Sequence, residues 1–222
     1  MRAFLERRRY GLLLGWILVS VLVVPALRAE ISVGRWLATL VFTVLLALAL
    51  NAAAGARRAR VALVGTAVVS FAAALASHAS DSAALLYTRD AFAAAFFAIV
   101  AALLLRRVVA PGRVTTDRIT AAICIYLILG LLWTSLYGLV HTWRPDAFSL
   151  PPGDIANALR YFSFVTLTTL GYGEVTPVHP LARSLAFLEA ATGVLYVAVL
   201  VARLVALQIV HEAENSDQSN SS

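Results

Sequence analysis

The sequence predicts an all-α membrane protein: six transmembrane helices, with a short re-entrant helix and a glycine-containing loop between the fifth and the sixth. Three observations predict this. The 222-residue chain is 61% hydrophobic and only 14% charged, against about 25% charged for an ordinary soluble domain. Its mean hydropathy is +0.84. Apolar runs near the ~20 residues a helix needs to cross a bilayer recur along the chain, and one shorter apolar run ends in a Gly-Tyr-Gly string.

The predicted spans are residues 11–27, 36–53, 61–77, 91–109, 119–141 and 180–208, with the shorter piece at 155–168. The first follows Arg2, Arg7, Arg8 and Arg9. Residues 11–27 are long for the apolar region of a cleaved signal, and more spans follow, so they read as a retained helix. Polar or helix-breaking segments separate the spans: Arg28 to Arg35, Arg57 to Arg60, His78 to Asp90, and Arg106 to Arg118 around Pro111-Gly112. The longest break contains Pro145, Pro151, Pro152 and Gly153. Residues 1–110 form a four-helix N-terminal domain, 111–210 a second domain, and 211–222 a polar tail expected to be disordered.

All 18 basic residues are arginines. Eleven lie at the N-terminus and in the second-to-third and fourth-to-fifth loops; four lie on the opposite side, or six with Arg160 and Arg183. This bias puts both termini in the cytoplasm and the Gly-Tyr-Gly string at the outer side of a multi-pass plasma-membrane protein. A pI near 10 therefore reports topology rather than nucleic-acid binding. Cys124, the sole cysteine, reads as a small buried hydrophobe. His78, His141, His179 and His211 form no metal-ligand spacing, and His141 and His179 read as solvated loop residues. Nothing indicates an enzyme, a cofactor, a catalytic residue or a small-molecule ligand.

From Ile119 the order is span, linker, short helix, glycine loop, span. Non-helical backbone at membrane depth is tolerated only where it is buried in protein or lines an aqueous path. Asp154, after Pro-Pro-Gly, is a candidate N-cap for the short helix. Residues 155–168 would span ~20 Å as helix, short of the hydrocarbon thickness. Residues 166–174 read Thr-Leu-Thr-Thr-Leu-Gly-Tyr-Gly-Glu. Gly171 and Gly173 lack Cβ and accept φ > 0, so successive carbonyls can face one axis. Such carbonyls from four chains can replace the hydration shell of a potassium ion.

This string resembles the potassium-channel selectivity filter Thr-Val-Gly-Tyr-Gly, and residues 119–208 resemble the pore module of tetrameric potassium channels. The whole chain resembles bacterial six-span potassium channels without a regulatory domain. The resemblance implies a homotetramer conducting K+ passively. Thr169 would offer its carbonyl and hydroxyl, Leu170, Gly171 and Tyr172 their carbonyls, and Gly173 the outer end. Leu170 stands where valine is commoner, Glu174 where aspartate is commoner, and Val165 at a position that is a carboxylate in some members. Glu174 would supply mouth carboxylates. Tyr161 and Phe162 would brace Tyr172, while Thr166 and Thr168 face the supporting helix. Glu189, an intramembrane carboxylate, would brace the short helix through Ser163 or Thr166, or line a cavity. Gly193 resembles the inner-helix gating hinge, with close helix packing as the alternative. Arg203 reads as a snorkelling anchor.

Residues 91–105 carry no arginine, although the fourth span occupies a voltage-sensor-like position, so little voltage dependence is expected. The alternatives are a weakly selective monovalent cation channel on the same fold and, more distantly, a secondary transporter, which would be expected to show repeated halves.

Overall fold

The computed structural model describes residues 9–23, 25, 34–52, 57–80, 82–110, 112 and 115–220. Helix α1 spans Arg9–Leu18 and runs into a π-helical turn, Val19–Val23. Then come α2 (Gly34–Ala52), α3 (Arg57–Ala79), α4 (Ala83–Val108) and α5 (Thr116–Trp143). A 3₁₀ turn at Pro145–Ala147 and strand β1 (Phe148–Ser149) lead to the short α6, Ile155–Leu167. Strand β2 (Thr176–Pro177) and the long α7 (Pro180–Asn220) follow. Arg2, Arg7, Arg8, Arg28 and Arg113, used in the topology argument, lie outside the described residues.

Among the described residues, four helices are long and apolar enough to cross a membrane: Ala59–Ser77, Ala83–Val108, Thr116–Trp143 and Pro180–Arg203. Two shorter apolar helices, Tyr10–Val23 and Thr39–Ala49, occupy the first two predicted spans.

Two expectations are corrected. The break expected from His78 to Asp90 is much shorter, because α4 begins at Ala83. Ala83-Ala84-Leu85-Leu86 are strong helix formers. The charges that suggested a loop also pair with each other, Arg89 Nε lying 2.8 Å from Asp90 Oδ1. The tail expected to be disordered from His211 continues α7 to Asn220; no glycine or proline interrupts it after Gly193.

Helices α4 and α5 form an antiparallel hairpin. Its turn is held by Arg118, whose guanidinium donates to Gly112 O at 2.9 Å. Thr115 caps α5 by accepting from Arg118 N, and Asp117 sits in the first turn. Helix α5 ends before Arg144-Pro145, where the residue preceding proline leaves the helical region. One apolar core joins α1 to α5 around Leu13, Leu45, Phe96 and Ile125. Trp16 Nε1 donates to Val41 O at 2.7 Å, and Arg107 donates to the Tyr10 hydroxyl at 3.0 Å. A second core surrounds α6 with Trp133, Tyr137, Phe148 and Val175.

The β1–β2 ladder pairs Phe148 with Pro177 and Ser149 with Thr176. Val178 N and His179 N both donate to Ala147 O. These bonds tie the linker before α6 to the segment after the glycine loop. The loop is therefore anchored on both sides.

Candidate functional site

Helix α6 starts where the sequence expects it. Asp154 Oδ1 accepts from Ala156 N at 2.9 Å and Asn157 N at 3.4 Å. The loop that follows folds back onto the helix end. Thr168 N donates to Phe164 O, Thr169 N to Thr166 O, and Leu170 N and Gly171 N both to Val165 O, at 2.8–3.1 Å. Carbonyls that the helix terminus would otherwise leave unpaired are thus satisfied.

Beyond this turn, φ is +58° at Thr169, +57° at Gly171 and +83° at Gly173. Leu170 and Tyr172 are not in the left-handed region. A backbone that alternates hand residue by residue turns successive carbonyls to one side. For Gly171 and Gly173 this carries little steric cost; Thr169 is a strained exception. The loop from Thr168 to Glu174 is exposed in the single chain, and Tyr172 is 67% exposed. Thr168 Oγ1 donates to Phe164 O at 2.7 Å, along its own helix, and Thr166 is half-buried.

The Tyr161 phenol lies near Tyr172 and the Glu174 carboxylate. Phe162 stands elsewhere: it is buried, with its ring centroid 4.9 Å from that of Tyr137 and 5.7 Å from that of Phe148. Its apolar body belongs in the core, so it supports α6 rather than touching Tyr172.

Glu189, on α7, is fully buried. Tyr137 Oη donates to its Oε2 at 2.5 Å, and Ser163 Oγ lies 2.6 Å from its Oε1. Ser163 Oγ also lies 2.7 Å from Gly130 O on α5. One carboxyl group therefore joins α5, α6 and α7. Hydrogen bonds in a low-dielectric interior are among the stronger polar contacts.

Gly193 lies against the end of α6. A Cβ there would overlap the carbonyl oxygen of Leu167 and stand 3.2 Å from Leu167 Cδ1. The close approach of α6 leaves no room for a side chain at this position. The same Leu167 carbonyl accepts from the Tyr126 hydroxyl at 3.1 Å, while Tyr196 of α7 donates to Ala122 O of α5 at 2.7 Å. Gly130 does for Phe164 what Gly193 does for Leu167: a Cβ would stand 2.6 Å from the Phe164 ring. Tyr126, Tyr137 and Gly130 escaped sequence reading because nothing along the chain marks which face of α5 meets α6.

His141 lies in the last turn of α5 rather than in a loop. His179 accepts from Leu181 N at 3.2 Å and packs edge-on against Trp143. Arg203 donates to Val109 O at 3.2 Å. Among the described residues, no cluster of His, Cys, Asp or Glu is arranged to hold a metal ion.

Residues 120–208 match the model of a family described as an ion channel. The inward rectifier potassium channel Kirbac3.1 of Paramagnetospirillum magnetotacticum is 38% identical over 72 residues, covering 32% of this chain and 24% of that protein. Protein LctB of Bacillus caldotenax is 32% identical over 126 residues, covering 50% of this chain and 93% of that protein. The chain thus spans about a quarter of the first relative and nearly all of the second. No solved structure matches it.

Proposed function

This chain belongs to the family of Protein LctB, and its residues 120–208 match an ion-channel family model; from that premise we propose that it is a potassium-selective channel, assembled from four copies around the 169–173 loop. The family is one of channels rather than enzymes. The observation that carries the reading is the alternation of φ at Thr169, Gly171 and Gly173, directly after a capped 13-residue helix. Four such loops about one axis would stack rings of oxygens from Thr169, Leu170, Gly171 and Tyr172, with Gly173 closing the outer end. Each ring replaces part of the ion's hydration shell. Helix α6 would aim its C-terminal partial negative charge at the ion path. Glu174, held beside Tyr161, would enrich cations at the mouth. The partial match to Kirbac3.1, a protein described as a potassium channel, supports the choice of ion.

In this reading six helices cross the plasma membrane, α6 enters it as a re-entrant helix, and both termini are cytoplasmic. The remaining class is a weakly selective cation channel, and one experiment separates the two. The full chain is reconstituted in planar bilayers, and the reversal potential is measured with K+ on one side and Na+ on the other. A reversal near the K+ limit is expected. A reversal near zero would leave an unselective cation channel, and sealed bilayers would remove conduction altogether. Gly171→Ala forces a Cβ into the left-handed region, at about 1–2 kcal/mol in each copy, and should abolish the preference for K+.

A further inference from the structure

A second feature lies outside the pore. Between the N-terminal helices and α6 is a cavity of about 470 Å³, within the ~300–1,000 Å³ of small-molecule sites. Neither the glycine loop nor, among the described residues, α7 contributes to its wall. One face of α5 runs along it: Leu131, Thr134, Ser135, Gly138, His141 and Thr142 recur at the three- and four-residue steps that keep side chains on one side of a helix. Polar groups are thus gathered toward the cavity in a helix apolar enough to cross a membrane, where such groups face a partner or a cavity. Helix α4 faces them, with Asp90 set against Gly138. Phe97 on α4 and Leu131 on α5 each lie seven residues, or ~10 Å of helix, from that crossing. With Phe42 and Leu45 of α2 they form an apolar end. Thr134 and Ser135 lie between the crossing and that end.

The polar part of the wall selects an uncharged hydrogen-bond donor. Arg89 is committed to the buried Asp90, through Nε at 2.8 Å and Nη2 at 3.1 Å, and Arg160 donates to Asn157 Oδ1 at 3.5 Å. The wall therefore does not call for an acid, and an ammonium group would stand near both arginines. Thr134 Oγ1 donates to Gly130 O at 2.8 Å, and Ser135 Oγ to Leu131 O at 3.1 Å. Each hydroxyl spends its one hydrogen on its own helix and has lone pairs left to offer. The Asp90 carboxylate likewise keeps acceptor sites beyond the two that Arg89 uses. Ser20, buried on the π-helical turn, adds another hydroxyl, and such turns are frequent at functional sites. His141 Nδ1 is buried with no hydrogen-bond partner. It accepts or donates according to its tautomer, and an occupant's hydroxyl group suits either form.

We propose that this cavity binds an uncharged single-chain lipid whose head carries hydroxyl groups, of the monoacylglycerol class. From His141 to Thr134 the polar stripe of α5 covers ~10 Å. A lone alcohol is too short to serve it all. The two hydroxyls and the ester of a glycerol head reach along it, with a hydrogen bond at each end. The hydrocarbon chain continues among Phe42, Phe97 and Leu131, an end that offers water too few polar partners. Because Ile155, Ala156 and Leu159 of α6 form part of the wall, the bound molecule rests directly on the helix that carries the loop. The proposal needs the chain to sit in a membrane but does not need the pore to select K+.

The test is native mass spectrometry of the full-length protein, titrated with 1-monooleoylglycerol, methyl oleate, oleate and glycerol. Methyl oleate keeps the chain and the ester but has no hydroxyl; oleate replaces the head by an acid. Monooleoylglycerol is expected to remain bound at a concentration about tenfold below either, the scale of one or two net hydrogen bonds. Glycerol alone should not compete. Thr134→Val combined with Ser135→Ala removes both hydroxyls with little change of shape and should erase the preference over methyl oleate. Ala93→Phe, which fills the cavity from α4, should weaken every amphiphile. Circular dichroism and retention of the assembled mass establish that each variant folds. If a variant does not fold, photo-crosslinking of a monoacylglycerol with a diazirine in its chain to the unaltered protein replaces it, with adducts expected on α4 or α5. Equal retention of monooleoylglycerol and methyl oleate, stronger retention of oleate, competition by glycerol alone, no bound amphiphile, or adducts confined to other helices would overturn the proposal. Since the readout is bound mass, a protein that binds the lipid but fails to conduct would refute the channel reading and leave this one standing.

Discussion

Glu189 shows how much one buried group can hold. Its two oxygens meet two hydroxyls, from Tyr137 on α5 and Ser163 on α6. Ser163 has a single hydrogen and two acceptors in reach, Glu189 and Gly130 O. Glutamine would match the shape, and its amide adds hydrogens, so every acceptor can be served. Glu189→Gln should therefore fold and assemble with little change. Glu189→Ala leaves the Tyr137 hydroxyl without its partner in an apolar core, at about 1–3 kcal/mol, while Ser163 keeps Gly130 O. Thermal unfolding followed by size-exclusion fluorescence should show the alanine variant destabilised and the glutamine variant close to the parent. If both variants melt alike, the carboxyl group is not what ties the helices. Gly193 is the steric counterpart. A methyl group there must displace the Leu167 carbonyl, which is backbone and cannot rotate away. Gly193→Ala should lower thermal stability as well as current, by about 1–3 kcal/mol for such overpacking. A variant with altered gating and unaltered stability would favour a hinge instead.

At the scale of elements, the decisive one is α6. Its 13 residues are too few to cross a membrane, and its place is fixed by Asp154 at one end and the returning loop at the other. Asp154→Ala removes the side-chain acceptor of two backbone N–H groups and should cost about 1 kcal/mol. Hydrogen exchange should accelerate at residues 155–158 while α5 remains protected; unchanged exchange would mean that the ladder and the core alone fix the helix start. Much of this element was legible in the sequence, because caps, prolines and glycines act locally. Asp154, the apolar run and Gly171 and Gly173 are all within a few residues of what they control. The unreadable part was lateral. Arg89 and Asp90 looked like a loop because sequence does not reveal that they pair with each other beneath Gly138. Phe162 looked like a partner for Tyr172, but on α6 it turns into the core beside Tyr137, while Tyr172 lies exposed in the loop beyond the helix. The Glu189 network needed three helices to meet, and only its α6 contact, Ser163, was within reach of sequence reasoning.

At the scale of the molecule, the single chain leaves one face unfinished. The membrane-crossing part of α7 is largely uncovered: Phe187 is 73% exposed, Val199 64% and Leu195 61%. This face adjoins the exposed loop with Tyr172 and Leu170. Lipid can cover aliphatic side chains, but it cannot satisfy a row of backbone carbonyls at membrane depth. The same argument that excludes an isolated loop there calls for other copies of it around a hydrated path. The particle released from membranes in mild detergent should therefore have the protein mass of four 23.7 kDa chains. Leu195→Arg, on the uncovered face, places a charge where a neighbour or lipid must pack, at about 2.5–3.5 kcal/mol per chain near mid-membrane. Two results would bear on it differently. Dissociation to single chains with α-helical content intact would assign this face of α7 to the subunit contact. A four-chain particle that persists would turn Leu195 toward lipid, and a parent protein of one- or two-chain mass would deny the loop the neighbours its geometry requires.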